Sequence, residues 1–358
     1  MAENKTFDPG ALLDTRPEVE KQQDFKFEEV VAYAAPVQWR KKRASEIRKY
    51  PIFDQGQSGS CVAQTARKLL GVYMQEKTGV FVKLSAADIY QRRSNRPESG
   101  MIGIDAFKIM QKGTTLLEFG QDDRLSDTQM DAVKISDFER SIGKSFAIGN
   151  YLTVPTGDID TIASIIQQTG KAVMVWFYFG TGEWTKQPVV KNSSLTAHSG
   201  AASRHSVSAV DFTLTEDGKK ALIIDDSWGP TAGNGAGQRT ITEDFFSRRN
   251  FFNGHFMTFA FEEGVPPVLD TKPRYRFSRD LAFTTIVTAD PDVVALQNVL
   301  KYEGLFPANT DSTGYFGAIT RIAVGKFQLK HGIVLSENDP GFGKVGPRTR
   351  AIINSIYA

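Results

Sequence analysis

Residues 54–63 read Asp54-Gln55-Gly56-Gln57-Ser58-Gly59-Ser60-Cys61-Val62-Ala63, which sets a thiol directly after a Gly/Ser loop. From Cys61 to Met74 the chain places Ala66, Leu69, Leu70 and Tyr73 at three-and-four spacing, and this predicts a helix with Cys61 in its first turn. Unpaired amides and the macrodipole at a helix start favour negative charge, so a thiol there is poised to act as a thiolate. A cysteine alone is better explained as a small buried hydrophobe. The rest of the chain has to supply a partner.

Four histidines are available, at 198, 205, 255 and 331. His205 opens the strand-like stretch His205-Ser-Val-Ser-Ala-Val-Asp-Phe212, and a Thr-Glu-Asp-Gly turn separates it from Ala221-Leu-Ile-Ile-Asp-Asp226. A hairpin of these two strands brings Asp226 beside His205. A base in His205 and a neighbouring carboxylate in Asp226 are thereby available to the thiol. With a third strand-like run at Ala172–Phe179, helices come first and strands second, which predicts an α+β domain of two lobes. Asp105 is expected to cap a helix over Ala106–Met110, ended by Gly113.

The order of these pieces resembles the papain-like cysteine peptidases. Gln55-Gly-Gln-Ser-Gly-Ser-Cys61 is similar to their Gln-Gly-x-Cys-Gly-Ser-Cys box, Asp226-Ser-Trp-Gly229 to their Asn-Ser-Trp-Gly box, and Val37-Gln-Trp-Arg40 to the segment that opens the mature domain. The resemblance implies Cys61 as nucleophile and His205 as its proton partner. It implies an oxyanion hole from the Gln55 side chain and the Cys61 amide, Asp226 orienting the imidazole, and Trp228 shielding that pair from water. Gly100 and Gly103 stand where the family lines its substrate cleft with glycine, although a plain turn before a helix explains them as well. Three positions depart from the family: Ser58 for a disulfide cysteine, Val62 for an aromatic and Asp226 for Asn. An aspartate also accepts the imidazole N–H, so Asp226→Asn is expected to keep substantial activity.

Composition limits the alternatives. The 358 residues suggest two or three domains, and the formal charge of +2 gives no electrostatic case for nucleic acid. The four basic residues Arg40–Arg43 are expected to be a solvated face. No apolar run approaches the about 18 residues of a membrane span. With Cys61 as the single cysteine, no internal disulfide or thiolate metal cage can form, and neither a metal nor a cofactor is expected. Gly233–Gly237 lacks the Gly-Lys-Ser/Thr ending of a phosphate loop and reads as a surface loop. The N-terminus has no basic-then-apolar stretch, so a classical signal peptide is not expected.

The expected organisation is an arm over 1–35, a peptidase domain over 36–264, a Pro-rich connector over 265–273 and a last domain over 274–358. That last part resembles the small helical peptidoglycan-binding domains common in bacteria and their phages, through Asp292–Leu300, Thr313–Gly317, Ala323–Gln328 and Gly346–Thr349. It contains a short repeat, Gly314-Tyr-Phe-Gly317-Ala-Ile-Thr320-Arg321 against Gly343-Lys-Val-Gly346-Pro-Arg-Thr349-Arg350. The leading expectation is a cysteine endopeptidase acting on protein or peptide and tethered to peptidoglycan through 274–358, hence found at a cell wall, outside the cell or on a virion. The competing class is a binding or structural protein that keeps the fold without the activity.

Overall fold

The structure, a computed structural model, describes residues 10–21, 36–78, 81–117, 124–148, 150–154, 159–190, 203–249, 256–260, 272–284, 289–306 and 312–358. His198, His255 and most of the Pro-rich connector lie outside them. The chain falls into two compact units, Met1–Ser136 with Phe146–Phe261, and Asp137–Ser145 with Glu262–Ala358. The second unit thus takes in a short mid-chain segment that the sequence-based boundary assigns to the peptidase domain.

In the first unit, β-branched and aromatic runs form a six-stranded antiparallel sheet. Its strands are β3 (Asn150–Val154), β4 (Val173–Phe179), β5 (Ser203–Leu214), β6 (Lys220–Asp225), β7 (Gln238–Thr242) and β8 (Phe256–Ala260), in the order β3-β8-β4-β5-β6-β7. Strand alternation divides the residues of β4 between two faces. Val173, Val175, Phe177 and Phe179 enter a core with Ile162, Ile165, Ile166, Leu222, Ile224 and Phe245, while Trp176 covers Gly103 on the other side. The core is closed by α4 (Ile159–Thr169) and α5 (Glu243–Arg249).

Before the sheet in sequence come α1 (Cys61–Thr78), α2 (Ala86–Gln91) and α3 (Gly103–Met110). The first two turns of α1 are buried on all sides, which marks it as a central helix. Small residues on β5 let it approach: Ser206 and Ser208 are buried, and the Ser206 hydroxyl reaches the Thr65 hydroxyl at 3.1 Å. Helix α3 begins before the expected cap. Asp105 sits in its first turn, where its carboxylate accepts from the Ser94 amide and hydroxyl instead of capping.

The second unit contains α6 (Pro291–Tyr302), α7 (Ala318–Lys330) and α8 (Pro347–Tyr357) around Leu296, Val299, Leu300, Val324, Phe327 and Ile353. Asp290 caps α6 by accepting from the Asp292 amide, with Pro291 in the first turn. The repeat seen in the sequence is also a repeat of contacts. Gln297 donates to the Tyr315 carbonyl and the Thr320 hydroxyl and accepts from the Gly314 amide. Gln328 donates to the Lys344 carbonyl and the Thr349 hydroxyl and accepts from the Gly343 amide. Each buried glutamine thereby pins the turn that starts the next helix.

Candidate active site

Cys61 begins α1 and is nearly fully buried. The loop before it is fixed by its own polar groups. Ser58 donates its hydroxyl to the Gln55 carbonyl at 2.8 Å, the Ser58 and Ser60 hydroxyls meet at 2.7 Å, and the Gly59 amide donates to Asp127 at 2.9 Å. A backbone ladder joins this loop to the end of β6, with the Gln55 amide donating to the Ser227 carbonyl and the Gly229 amide to the Phe53 carbonyl. Residues far apart in sequence are thereby held side by side.

His205, near the start of β5, donates from Nε2 to Asp226 Oδ1 at 2.7 Å, and its other hydrogen-bond partner is Cys61. Since Nε2 is committed to Asp226, Nδ1 is the nitrogen left for the thiol. The ring lies among Phe179, Trp184 and Trp228, whose centroids are 5.9, 5.9 and 5.2 Å away. Burial alone would push the imidazole down. The charge and hydrogen bond of Asp226, joined by those of Cys61, outweigh it and carry His205 up to about 9. Burial would likewise raise Asp226, yet His205 and then Arg239 hold it well below the usual carboxylate range.

Asp226 is saturated. Besides His205, Oδ1 accepts from the Ser227 amide at 2.8 Å, and Oδ2 accepts from Trp184 Nε1 at 3.1 Å and Arg239 Nε at 2.6 Å. The neighbouring Asp225 faces another way, paired with Lys68 at 2.8 Å and Gln238 at 2.9 Å. The structure therefore separates two adjacent aspartates into one that meets His205 and one that pairs with α1.

Gln55 is buried and oriented at both ends of its amide: Oε1 accepts from the Ser227 hydroxyl at 2.5 Å and Nε2 donates to the Ser58 carbonyl at 2.8 Å. A carboxamide nitrogen has a second hydrogen, so Nε2 keeps a donor in addition to the one Ser58 receives. Trp228 joins the loop through a bridge to Asp54 and packs against His205 with its ring tilted by 38°.

The two glycines behave differently from the cleft glycines that the resemblance implies. Gly100 gives its amide to the Tyr90 hydroxyl at 2.9 Å, and the amide that reaches across the site is that of Met101. Gly103 is a packing glycine, since a Cβ there would stand 2.1 Å from the Trp176 ring. The partner of Met101 is the N-terminal arm itself. Strand β1 (Ala11–Leu12) pairs in parallel with β2 (Met101–Ile102), and the Met101 amide donates to the Gly10 carbonyl at 2.9 Å. A Cβ on Gly10 would lie 2.6 Å from Cys61 Sγ, so the arm crosses directly over the thiol.

Arg239, Trp184 and Ser227 were not anticipated as parts of the site. Gln238-Arg-Thr-Ile-Thr242 does carry a readable strand pattern after a Gly-rich turn, and its pairing with β6 would have placed Arg239 close to Asp226. Nothing in the sequence aims the Trp184 indole. The basic run lies at the surface with only Lys42 largely covered, and its members pair within the chain, Arg40 and Arg43 to Glu46, Lys41 to Glu216 and Lys42 to Asp211. Among the described residues there is no cluster of metal-ligating side chains and no helix long and apolar enough to cross a membrane.

Residues 33–244 match the family described as papain family cysteine protease, and residues 289–353 match the family of peptidoglycan-binding domains. Among curated proteins, the chain is similar to vignain of Phaseolus vulgaris, 27% identical over 212 residues that make up 58% of this chain and 54% of that one. It is equally similar to the senescence-specific cysteine protease SAG39 of Oryza sativa subsp. indica, at 27% over 58% of each chain. The chain thus spans little more than half the length of these plant relatives. Among solved structures, xylellain, a cysteine protease from Xylella fastidiosa, superposes with a TM-score of 0.53 at 18% identity, covering 72% of this chain and 97% of that one. Digestive procathepsin L2 from Tenebrio molitor gives 0.57 at 16%, covering 72% and 79%. At such identities the likeness is one of fold.

Proposed function

The chain belongs to the papain family of cysteine proteases and carries a peptidoglycan-binding domain after its protease domain, and on that premise we propose that it is a peptidase working through Cys61, His205 and Asp226 and held to peptidoglycan by its C-terminal domain. The observation that carries this reading is His205, buried with one ring nitrogen on Asp226 and Cys61 as its other partner.

The chemistry follows from those contacts. Transfer of the Cys61 proton to His205 gives a thiolate and an imidazolium, and Asp226 stabilises the latter. The thiolate attacks the carbonyl carbon of the scissile peptide bond, and the resulting oxyanion meets the Cys61 amide and the remaining Gln55 donor. As the C–N bond breaks, His205 gives its proton to the departing amine and a thioester remains. His205 then takes a proton from water, whose oxygen attacks the thioester, and collapse releases the acid and returns the thiol. Trp228, with Phe179 and Trp184, keeps bulk water from the His205–Asp226 bond. The substrate is a protein or peptide, the class on which the family acts, and Met101 is the backbone group ready to pair with it.

The arm has to leave before a substrate can enter, because residues 10–12 hold the Met101 amide and stand over the sulfur. A peptide-library cleavage profile of the full chain, of Cys61→Ala and of Gly10→Leu tests the reading. The wild type should cleave, Cys61→Ala should lose about three orders of magnitude or more, and Gly10→Leu, whose side chain collides with Sγ, should expel the arm and cleave about tenfold faster. Cleavage by Cys61→Ala equal to the wild type would place the activity elsewhere.

A further inference from the structure

Among the described residues, every group hydrogen-bonded to the Asp226 carboxylate is a donor. The Ser227 amide, the Trp184 indole and the Arg239 guanidinium can only donate, and His205 donates from Nε2. A carboxylate accepts on both oxygens, whereas an amide at this position would accept on one side and turn its NH2 against donors on the other. The family's usual Asn therefore does not fit these surroundings, and the structure reverses the sequence-based expectation that Asp226→Asn keeps substantial activity.

Arg239 is what makes the carboxylate tenable. It projects from β7, which pairs with β6, and its side chain is only 3% exposed. Nε holds Asp226 Oδ2, and Nη1 donates to the Trp184 carbonyl at 2.6 Å. The guanidinium centre lies 5.0 Å from the Trp184 ring and 5.5 Å from the Trp228 ring, the same two indoles that flank His205. One side chain thus grips the orienting carboxylate and two walls of the histidine pocket. It also balances charge. Asp226 and Arg239 cancel, which leaves the Cys61 thiolate and the His205 imidazolium as a second neutral pair. Without Arg239 the buried cluster would carry a net negative charge, an arrangement that is costly to desolvate.

We propose that Arg239 is a positioning residue of the peptidase reaction, coupled to Asp226 so that the two form one functional unit: Arg239 fixes Oδ2 so that Oδ1 faces His205, and neither residue can be neutralised alone. This rests on the reading of His205 as the acid and base of the reaction.

The test compares the full-length wild type with Asp226→Asn, Arg239→Met, Arg239→Lys and the double variant Asp226→Asn/Arg239→Met. Two readouts are used, peptide hydrolysis and an NMR titration of His205, and the second needs no substrate. Asp226→Asn should lose about 100-fold in kcat, and Arg239→Met about tenfold, whereas the double variant, which buries no unpaired charge, should recover at least about tenfold over Asp226→Asn. In Arg239→Met the titration midpoint of His205 should rise by about one pH unit, because Asp226 then acts on the imidazole unopposed. Arg239→Lys keeps the charge and should leave that midpoint near the wild-type value, which separates electrostatics from lost packing. A double variant no better than Asp226→Asn in an active wild-type background overturns the proposal and leaves the peptidase reading standing. A wild type that cleaves nothing removes the peptidase reading, and the His205 midpoints then decide the coupling on their own: unmoved or lowered in Arg239→Met, they overturn it.

Discussion

Gln328 in the second unit and Asp226 in the first are both buried side chains that gather several partners around themselves, and they do so with opposite chemistry. Gln328 offers a donor end and an acceptor end. All its partners lie within one short turn, from Gly341 to Thr349. The Asp226 carboxylate offers only acceptors, and its partners are Trp184 in the short helix after β4, His205 on β5, Ser227 just past β6 and Arg239 on β7. The neutral clamp closes locally and does not titrate. The charged cluster needs a countercharge brought from another strand, and buried ion pairs are a poor way to gain stability. The amide fixes a turn, whereas the carboxylate fixes the orientation of His205, and under the proposed function that difference separates a scaffold from a reaction centre.

The largest way to break this contrast is to remove the clamp. Gln328→Leu strands the Gly343 amide and the Lys344 carbonyl in a buried turn and should cost about 3 kcal/mol. Melting of the second unit should fall accordingly, while hydrolysis of a soluble peptide stays within about twofold of wild type. Gln297→Leu, which loses fewer partners, should cost less, about 2 kcal/mol. An unchanged melting curve in both would make the repeat an ancestral trace without structural weight.

A smaller effect sharpens the contrast through pH. His205 is carried from 6.5 up to about 9 in the folded chain, so the stability it contributes is complete below about pH 6.5 and is lost as pH rises through about 9. Asp226 is depressed, so its contribution holds above the ordinary carboxylate range and is lost only as pH falls through its lowered value. Between pH 7 and 9.5 the first unit should therefore melt progressively earlier by a few degrees, and the glutamine-clamped unit should not. Differential scanning calorimetry resolves the two transitions, and a first unit indifferent to that window would contradict a charged His205.

The same contrast explains what could be read from the sequence. Cys61 at a helix start, the strands of His205 and Asp226, and the repeat from Gly314 and Gly343 were legible because each depends on a local pattern of glycine, apolar period or turn. The hairpin itself was legible from its short turn, but the register that puts Asp226 on the same side as His205 depends on a one-residue shift between Ala209 and Asp211, which no turn residue announces. Arg239 was not legible as a partner, because its role depends on which way one residue of β7 points and on two indoles from elsewhere in the chain. Gly103 misled for a related reason: a glycine beside a helix looks the same whether it admits a substrate backbone or the ring of Trp176. The arm carried no periodicity at all. Its two-residue strand is defined only by the partner it finds in Met101–Ile102.

The claim that chemistry and attachment reside in different units is tested most directly by one co-sedimentation experiment. Wild type, Cys61→Ala and Gln328→Leu are each mixed with purified peptidoglycan and with a soluble fluorogenic peptide, and the pelleted protein and the cleaved peptide are measured in the same tube. The wild type should pellet and cleave, Cys61→Ala should pellet without cleaving, and Gln328→Leu should cleave while remaining largely in the supernatant. If cleavage survives in Cys61→Ala, or if both abilities disappear together in either variant, the separation of reaction centre from wall-binding scaffold is wrong.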